Sequence, residues 1–193
     1  MTWRIEPLPL NGPIFDGAIG VYAEAFAEAP YLDADRGNEV RRRLKESEWS
    51  RPGYDGYVAT QPNGDVAGLV YGYQGCAGQW WHDTVAGKLD RSSRHAWLRD
   101  SCELVELAVA PVMQGQGAGR ALLERFIGAR TEATCVLSTR SESRAVEFYG
   151  RLGFETVGEV VFNPGGAPFL IMGKRLSGEA DVERGWWRLR RRT

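Results

Sequence analysis

The chain has 193 residues, of which 43 % are hydrophobic and 25 % are charged, and its formal net charge is −1. This composition is typical of a soluble globular protein and excludes a disordered chain. The near-zero charge gives no general attraction to nucleic acid, and no apolar run approaches the ~20 residues that a membrane span requires.

The cysteines Cys76, Cys102 and Cys135 are odd in number and show no C-x-x-C spacing. This pattern predicts reduced thiols, a cytoplasmic location and no metal site. The first ten residues lack a basic segment followed by an apolar one, so no signal peptide is expected. We therefore expect neither nucleic acid nor a membrane among the partners.

Hydrophobic periodicity predicts alternating helices and strands along the N-terminal half. In chain order the pattern predicts a strand, two helices and a hairpin of two strands at residues 3–8, 14–29, 35–49, 57–60 and 66–73. The hairpin is indicated by the turn residues between 62 and 65, Pro-Asn-Gly-Asp.

Residues 75–100 join two predicted strands and are unusually long for that connection. The segment contains three tryptophans and both histidines: Trp80, Trp81, Trp97, His82 and His95. A connection of this length inside a compact domain is usually functional or disordered, and the tryptophans argue against disorder. The sequence leaves its role open.

Residues 102–130 predict a strand, a tight turn, a glycine-rich loop and a helix. Pro111 ends the strand because it has no N–H group to donate. Gly115, Gly117 and Gly119 then leave backbone N–H groups uncovered at the start of a helix that runs to about residue 129. Free N–H groups and the helix dipole favour an anion such as a pyrophosphate at this position.

Three kinds of phosphate-binding loop compete for this stretch. A P-loop requires Lys-Ser or Lys-Thr after the glycines, and neither follows here. A dinucleotide-binding fold requires an acidic residue at the end of the next strand, which instead ends at Ser138, Thr139 and Arg140. The third pattern, Gln/Arg-Gly-x-Gly-x-Gly/Ala after a strand ending in V-x-P, is matched at every defined position from Val109 to Gly119.

A second motif lies downstream at residues 143–154. Ser143 is a plausible helix N-cap and Gly153 a C′ glycine, while Ala145, Phe148 and Tyr149 fall on one helical face. In order and spacing, the two motifs resemble those of the GNAT superfamily of N-acetyltransferases. The first motif is similar to the acetyl-CoA loop of that superfamily.

The resemblance implies an α/β fold with a mixed, mostly antiparallel, twisted sheet of six to seven strands and helices on both faces. The sheet is expected to splay beside its central strand, where the thioester enters. Closing elements are expected at residues 134–138 (strand), 143–152 (helix), 154–162 and 169–176 (strands). We expect a single acetyltransferase domain at residues 1–177 and a basic tail at 178–193.

The resemblance also implies roles for individual residues. Tyr149 is expected to protonate the leaving thiolate, and Glu103 or Glu106 to act as the base that deprotonates the amine. Contacts to acetyl-CoA are expected from the strand end, the loop and the two helices: Leu107, Ala108, Val109, Gln114, Gly115, Gln116, Gly117, Ala118, Gly119, Arg120, Ser143 and Tyr149. The expected acceptor pocket contains Phe26, Tyr31, Trp80, Trp81 and His82.

The spacing of the two glutamates bears on which of them is the base. Successive side chains of a regular strand point to opposite faces, so only one of Glu103 and Glu106 should face the cleft. The superfamily's strand often carries a bulge near Leu107, which would change that parity. Cys102 is expected to be a buried, inert thiol, because no histidine is placed by the sequence to activate it.

The activity implied by the resemblance is acetyl-CoA-dependent N-acetylation of a primary amine of a small molecule, by direct attack. Two alternatives stay open: a protein N-terminal or lysine acetyltransferase, and a non-catalytic acyl-CoA-binding module. The sequence leaves the oligomeric state open, with a homodimer as one option.

Overall fold

The computed structural model describes residues 3–33 and 35–176. In chain order its elements are β1 (Arg4–Pro7), α1 (Gly12–Ala27), α2 (Arg36–Glu46), a 3-10 helix (Glu48–Ser50), β2 (Asp55–Thr60), β3 (Val66–Gly75), α3 (Trp80–Ala86), α4 (Arg91–Leu98), β4 (Ser101–Val109), a second 3-10 helix (Pro111–Met113), α5 (Ala118–Gly128), β5 (Thr134–Arg140), α6 (Ala145–Arg151), β6 (Glu155–Val160) and β7 (Phe169–Arg175). The predicted basic tail at 178–193 lies outside the described residues.

The seven strands form one sheet in the order β1-β2-β3-β4-β5-β7-β6. Neighbouring strands are antiparallel except β4 and β5, which run parallel. The predicted mixed, mostly antiparallel sheet with helices on both faces is therefore confirmed.

One face of the sheet is covered by α5 and α6, which bury a core that includes Leu122, Phe126 and Tyr149. The opposite face is covered by two separate pairs of helices. Over β2 to β4 lie α1 and α2, whose buried stripe includes Phe15 and Tyr22. Over β5 to β7 lie α3 and α4. We call this second side the acceptor face, because the residues that the sequence analysis assigns to an acceptor pocket lie on its helices or beside them.

The long connection at 75–100 folds into α3 and α4 rather than an irregular loop. Asp90 caps α4, its carboxylate accepting hydrogen bonds from the backbone N–H groups of Ser92 and Ser93. Trp97 of α4 packs with Val136 of β5, and the apolar side of the two helices is thereby buried against the sheet. Trp97, with the partly buried Trp81 packed beside it, thus helps to build a third small core.

The two central strands separate along most of their length. Strands β4 and β5 pair only through Ser101 to Glu103 and Thr134 to Val136. Beyond those residues each strand keeps its other neighbour, so the facing edges of β4 and β5 remain unpaired. The predicted splay beside the central strand is therefore present, and its open end lies next to the glycine-rich loop.

A bulge in β4 overturns the expectation that only one glutamate faces the cleft. Glu106 pairs with Tyr71 and Leu104 pairs with Gly72, which leaves Val105 as an extra residue. The extra residue reverses the alternation of side chains. Glu103 and Glu106 therefore both point to the acceptor face, and the bulge lies at Val105, between them, rather than at Leu107.

Within the described residues, no helix has both the length and the apolar character needed to cross a membrane.

Candidate active site

The glycine-rich loop has the backbone that its sequence predicts. Gly115 and Gly117 have φ angles of 73° and 91°, which other residues adopt with strain, and Gly117 is the N-cap of α5. Among the described residues, the N–H groups of Gly115, Gln116 and Gly117 form no backbone hydrogen bond. The loop therefore offers free donors to an anion, together with the first N–H groups of the helix.

The loop is held in place by contacts at its edges. Trp3 Nε1 donates to the backbone oxygen of Gln116 (3.2 Å), and Gln114 Nε2 donates to that of Val109 (3.3 Å). A methyl group on Gly119 would touch Val109 and Phe148 at 3.4–3.5 Å, so α5 packs closely against α6. The donors are therefore fixed relative to the end of β4.

Two further residues that the sequence assigns to acetyl-CoA lie near helix starts. Ser143 Oγ accepts the N–H of Ala145 (3.1 Å), but the N-cap of α6 is Arg144, one residue later than the sequence predicted. Arg120 is exposed on α5, with Nη1 3.7 Å from Glu124 Oε1. An ion pair this exposed contributes little to stability, so the guanidinium can turn toward a phosphate.

Tyr149 lies inside the core on the α5/α6 face. Its ring contacts those of Phe148 and Phe154, with centroids 5.2 and 5.4 Å away. Burial, with smaller contributions from Tyr31, Cys135 and Glu106, raises the pKa of the Tyr149 phenol well above its usual value. The phenol therefore stays protonated at neutral pH and can act as a proton donor.

Glu106 is held in a salt bridge. Arg43 Nη2 donates to Glu106 Oε1 at 2.6 Å and approaches Tyr71 Oη at 3.3 Å. Tyr71 Oη in turn donates to the buried carboxylate of Glu48 at 2.7 Å. Glu106 is thus a member of an ordered network that ties α2 and the first 3-10 helix to the sheet.

Glu103 has a different environment on the same face. It is 4 % exposed, and Oε2 has no hydrogen-bond partner among the described residues. Burial raises the pKa of Glu103 to about 8, with Arg51 opposing the shift and Glu48 adding to it. A carboxyl group with a pKa near neutral is suited to accept a proton in catalysis.

The two glutamates should have opposite effects on stability. Between the unfolded pKa of about 4.3 and the folded value of about 8, the folded state keeps a proton on Glu103 that the unfolded state has released. The free energy of unfolding of the wild type should therefore fall as pH rises through this window, by about 1.4 kcal/mol for each unit of pKa difference.

Glu103→Gln should remove this fall of the unfolding free energy with pH and make the protein more stable than the wild type at pH 8 and above. Glu106→Gln should instead lower the free energy of unfolding by about 1–3 kcal/mol, because it removes the carboxylate to which Arg43 Nη2 donates and leaves only the more distant Glu48. Urea denaturation of the three proteins at several pH values measures both effects. Parallel pH profiles for the wild type and Glu103→Gln would contradict the assignment of the raised pKa to Glu103.

The predicted acceptor residues divide between two walls of the acceptor face. Phe26 and Tyr31 form one wall, with ring centroids 4.5 Å apart. The guanidinium of Arg36 lies over both rings, and that of Arg140 lies 5.9 Å from the Tyr31 centroid. Since Arg140 ends β5, this wall reaches across the open end of the split sheet.

Helix α3 forms the other wall. Trp81 Nε1 donates to Ser138 Oγ (2.9 Å), which places the indole over β5. Trp80 is 65 % exposed and packs on Phe162 with centroids 5.4 Å apart. His82 lies next to Gly75, close to the start of β4. The segment 75–100 therefore borders the region above Glu103.

Sequence reasoning missed the arginines and buried hydroxyl groups of the site. Arg43 falls between Val40 and Leu44 on the buried side of α2, and an arginine on an apolar stripe could have signalled a buried acidic partner. The hydroxyl group of Thr139 is buried without a partner among the described residues. Thr139 lies on the part of β5 that pairs with β7 but not with β4, and nothing in the sequence marks this position.

Comparisons with known proteins agree with this architecture. Residues 84–176 match the family model described as Acetyltransferase (GNAT) domain. A GCN5-like protein acetyltransferase of Mycobacterium tuberculosis is 38 % identical over 109 residues, which are 52 % of this chain and 53 % of the relative. A mycothiol acetyltransferase of Acidothermus cellulolyticus is 28 % identical over 158 residues, 78 % of this chain and 45 % of the relative. The chain thus spans about half the length of these two curated relatives.

Solved structures give the same result over most of the fold. The structure named histone acetyltransferase HPA2 and related acetyltransferase, from Corynebacterium glutamicum, superposes with a TM-score of 0.65 and 25 % identity. The match covers 91 % of this chain and 97 % of that one. It therefore includes the helices of both faces as well as the sheet.

Proposed function

Because the chain belongs to the GNAT superfamily of acetyltransferases, we propose that it transfers the acetyl group of acetyl-CoA to a primary amine of a small molecule. The observation that carries the proposal is the split between β4 and β5. A candidate base with a pKa of about 8, Glu103, lies on one face of the split, and a protonated phenol, Tyr149, lies on the other.

Acetyl-CoA fits the donors that the described residues leave free. The pyrophosphate binds the N–H groups of the loop at 114–119 and the start of α5, with Arg120 adding charge. The amide-bearing arm lies between the unpaired edges of β4 and β5, where Leu107, Ala108 and Val109 present backbone groups. Ser143 and Thr139 supply side-chain hydroxyl groups near this path.

Each proton transfer has an assigned residue. Glu103 accepts a proton from the amine through water, because an aliphatic ammonium with a pKa near ~10.4 cannot attack until it loses one. As the amine attacks the thioester carbon, a backbone N–H of β4 stabilises the oxyanion that forms on the carbonyl oxygen. Tyr149 donates its proton to the leaving sulfur as the C–S bond breaks, and the phenolate regains a proton from the attacking nitrogen, which loses its second proton as the amide forms. Glu106 holds Arg43 and the floor of the site in place.

Gly117→Asn is expected to weaken acetyl-CoA binding at least tenfold. Asparagine tolerates the positive φ at this position, so the fold should survive, but its side chain occupies space where the pyrophosphate approaches. Calorimetry with acetyl-CoA measures the effect. Gly64 has the same φ of 91° in an open turn, so Gly64→Asn is a matched control that should keep wild-type affinity. Equal affinity in the two variants would place the pyrophosphate elsewhere.

A protein acceptor is the second candidate. The rims of the acceptor face carry two exposed apolar side chains, Leu32 (75 % exposed) and Trp80, which suit a peptide chain. The M. tuberculosis relative is named a protein acetyltransferase, whereas the A. cellulolyticus relative is named a mycothiol acetyltransferase. The two relatives thus favour different acceptors.

Release of free thiol from acetyl-CoA distinguishes these candidates. The purified chain is assayed against simple amines, polyamines, aminoglycosides and peptides with free N-termini or lysines. We expect a small amine to give the highest kcat/KM. A peptide that exceeds every small amine would replace the small-molecule proposal with protein acetylation.

A further inference from the structure

The position of Glu103 raises the question of where its proton goes. The side chain is almost fully enclosed on the acceptor face. Once Glu103 has accepted a proton from the amine, it must release that proton before the next turnover. The net reaction of an ammonium with acetyl-CoA gives an amide, free CoA and one proton, so one proton per turnover has to reach solvent.

Two buried polar atoms near the start of β4 mark a path. Ser101 Oγ and Glu103 Oε2 are both buried without a hydrogen-bond partner among the described residues. The two side chains are two positions apart on a regular part of the strand, so they point to the same face. Buried polar atoms of this kind are commonly bridged by ordered water.

Gly75 leaves open the space above Ser101. The two residues are register partners in β3 and β4. A Cβ atom on Gly75 would lie 2.8 Å from Ser101 Oγ and 3.8 Å from His82 Cδ2. The imidazole of His82 and the hydroxyl group of Ser101 therefore border the same small space beside Gly75, and Glu103 is two residues further along β4. The distance from Ser101 to Glu103 along the strand is roughly 6.6–7 Å, which one or two water molecules can bridge.

Asp83 continues the path to solvent. His82 Nδ1 is 3.2 Å from Asp83 Oδ1, and the side chain of His82 is 12 % exposed while that of Asp83 is 55 % exposed. A proton on Nδ1 donated to this carboxylate leaves Nε2 as an acceptor. An imidazole can accept a proton on one ring nitrogen and release one from the other, which suits it to pass protons between two partners.

We propose that His82, oriented by Asp83, carries the proton of Glu103 to solvent through Ser101 and ordered water. The proposal rests on the acetyl transfer proposed above and assigns a role to the segment 75–100. In this proposal His82 acts on the proton held by Glu103 and not on the reacting amine, so it is a relay residue. Glu103 regains its negative charge when the proton leaves, and His82 returns to the neutral form when solvent takes it.

The charged and titratable groups around this path come from four elements. Arg43 belongs to α2, Glu48 to the first 3-10 helix and Arg51 to the position just after that helix. Tyr73 belongs to β3 and Glu106 to β4. Burial raises the pKa of Glu48 as well as that of Glu103. These groups set the proton affinity of Glu103, whereas His82 and Asp83 lie on the side toward solvent.

His82→Ala should lower kcat by about tenfold in dilute buffer, which is less than the roughly 10²–10⁴-fold effect of a residue that itself takes the substrate proton. Added imidazole should restore the rate in proportion to its concentration, because it can occupy the space left by the side chain. Asp83→Asn, which keeps the shape of its side chain, should give a smaller loss with the same dependence on buffer concentration.

His95 provides a matched control, since it is the other histidine of the chain and lies in α4. His95→Ala should keep the wild-type rate and show no response to imidazole. An active wild type with an equally active His82→Ala variant, or a loss that imidazole does not repair, would overturn the relay while leaving acetyl transfer intact. A wild type that releases no CoA with any amine would overturn the proposed function, and the relay with it.

Discussion

Tyr149→Phe is expected to lower kcat by about 10²–10⁴-fold, the range typical of removing a positioned acid or base. The change deletes one hydroxyl group and keeps the ring, which packs between Phe148 and Phe154. The core and the fold should therefore be preserved. The leaving thiolate would have to depart without a proton, so the loss should appear in the chemical step rather than in binding.

Rapid-quench kinetics measures the chemical step of Tyr149→Phe directly, and calorimetry should show little change in acetyl-CoA affinity. Tyr57→Phe is the matched control, because Tyr57 belongs to the same core and its hydroxyl group reaches Asp55 at 3.4 Å instead of the split. The role of Tyr149 as the acid is excluded if Tyr149→Phe turns over as fast as Tyr57→Phe in the chemical step.

Glu103→Gln is expected to lower kcat/KM at neutral pH by one to a few orders of magnitude, about 1.4 kcal/mol of transition-state stabilisation for each tenfold. In the wild type, the rate should rise with pH and level off near pH 8, because the base form of Glu103 appears as its raised pKa is passed. The variant lacks this group, so its rate should keep rising as the amine itself deprotonates toward a pKa of ~10.4.

A comparison with Glu106→Gln separates the two carboxylates. The carboxylate of Glu106 is engaged in a salt bridge with Arg43, so the Glu106→Gln variant should lose stability and keep the pH–rate profile of the wild type. The measurement is kcat/KM from pH 6 to 10 for all three proteins, at a temperature where each is folded. If Glu106→Gln rather than Glu103→Gln changes the profile, the base has been assigned to the wrong glutamate.

The parts of the site that the sequence predicted are those fixed by local chemistry. Gly115 and Gly117 have positive φ angles, and Gly153 has φ 85° beyond the end of α6, as expected of glycines in a tight loop and at a helix C-terminus. The Asn-Gly turn predicted the hairpin of β2 and β3. Each of these features depends on the backbone preferences of a few consecutive residues.

The parts that the sequence left open depend on contacts between distant residues. The bulge at Val105 has no glycine or proline to mark it, yet it decides that Glu103 and Glu106 share a face. Helix α3 has seven residues, too few to show a helical period. Its start, from Trp80 to His82, is placed by contacts with Phe162 and Ser138 far along the chain.

The proposed acetyl transfer is tested most directly by measuring both products in one reaction. The wild-type chain is incubated with acetyl-CoA and the best amine of the panel, and free CoA and acetylated amine are quantified by mass spectrometry. Acetyl transfer predicts equal amounts of the two products, in a yield that falls sharply with Glu103→Gln and Tyr149→Phe. Tight binding of acetyl-CoA without either product would contradict it and favour a binding module, and free CoA without acetylated amine would show hydrolysis instead.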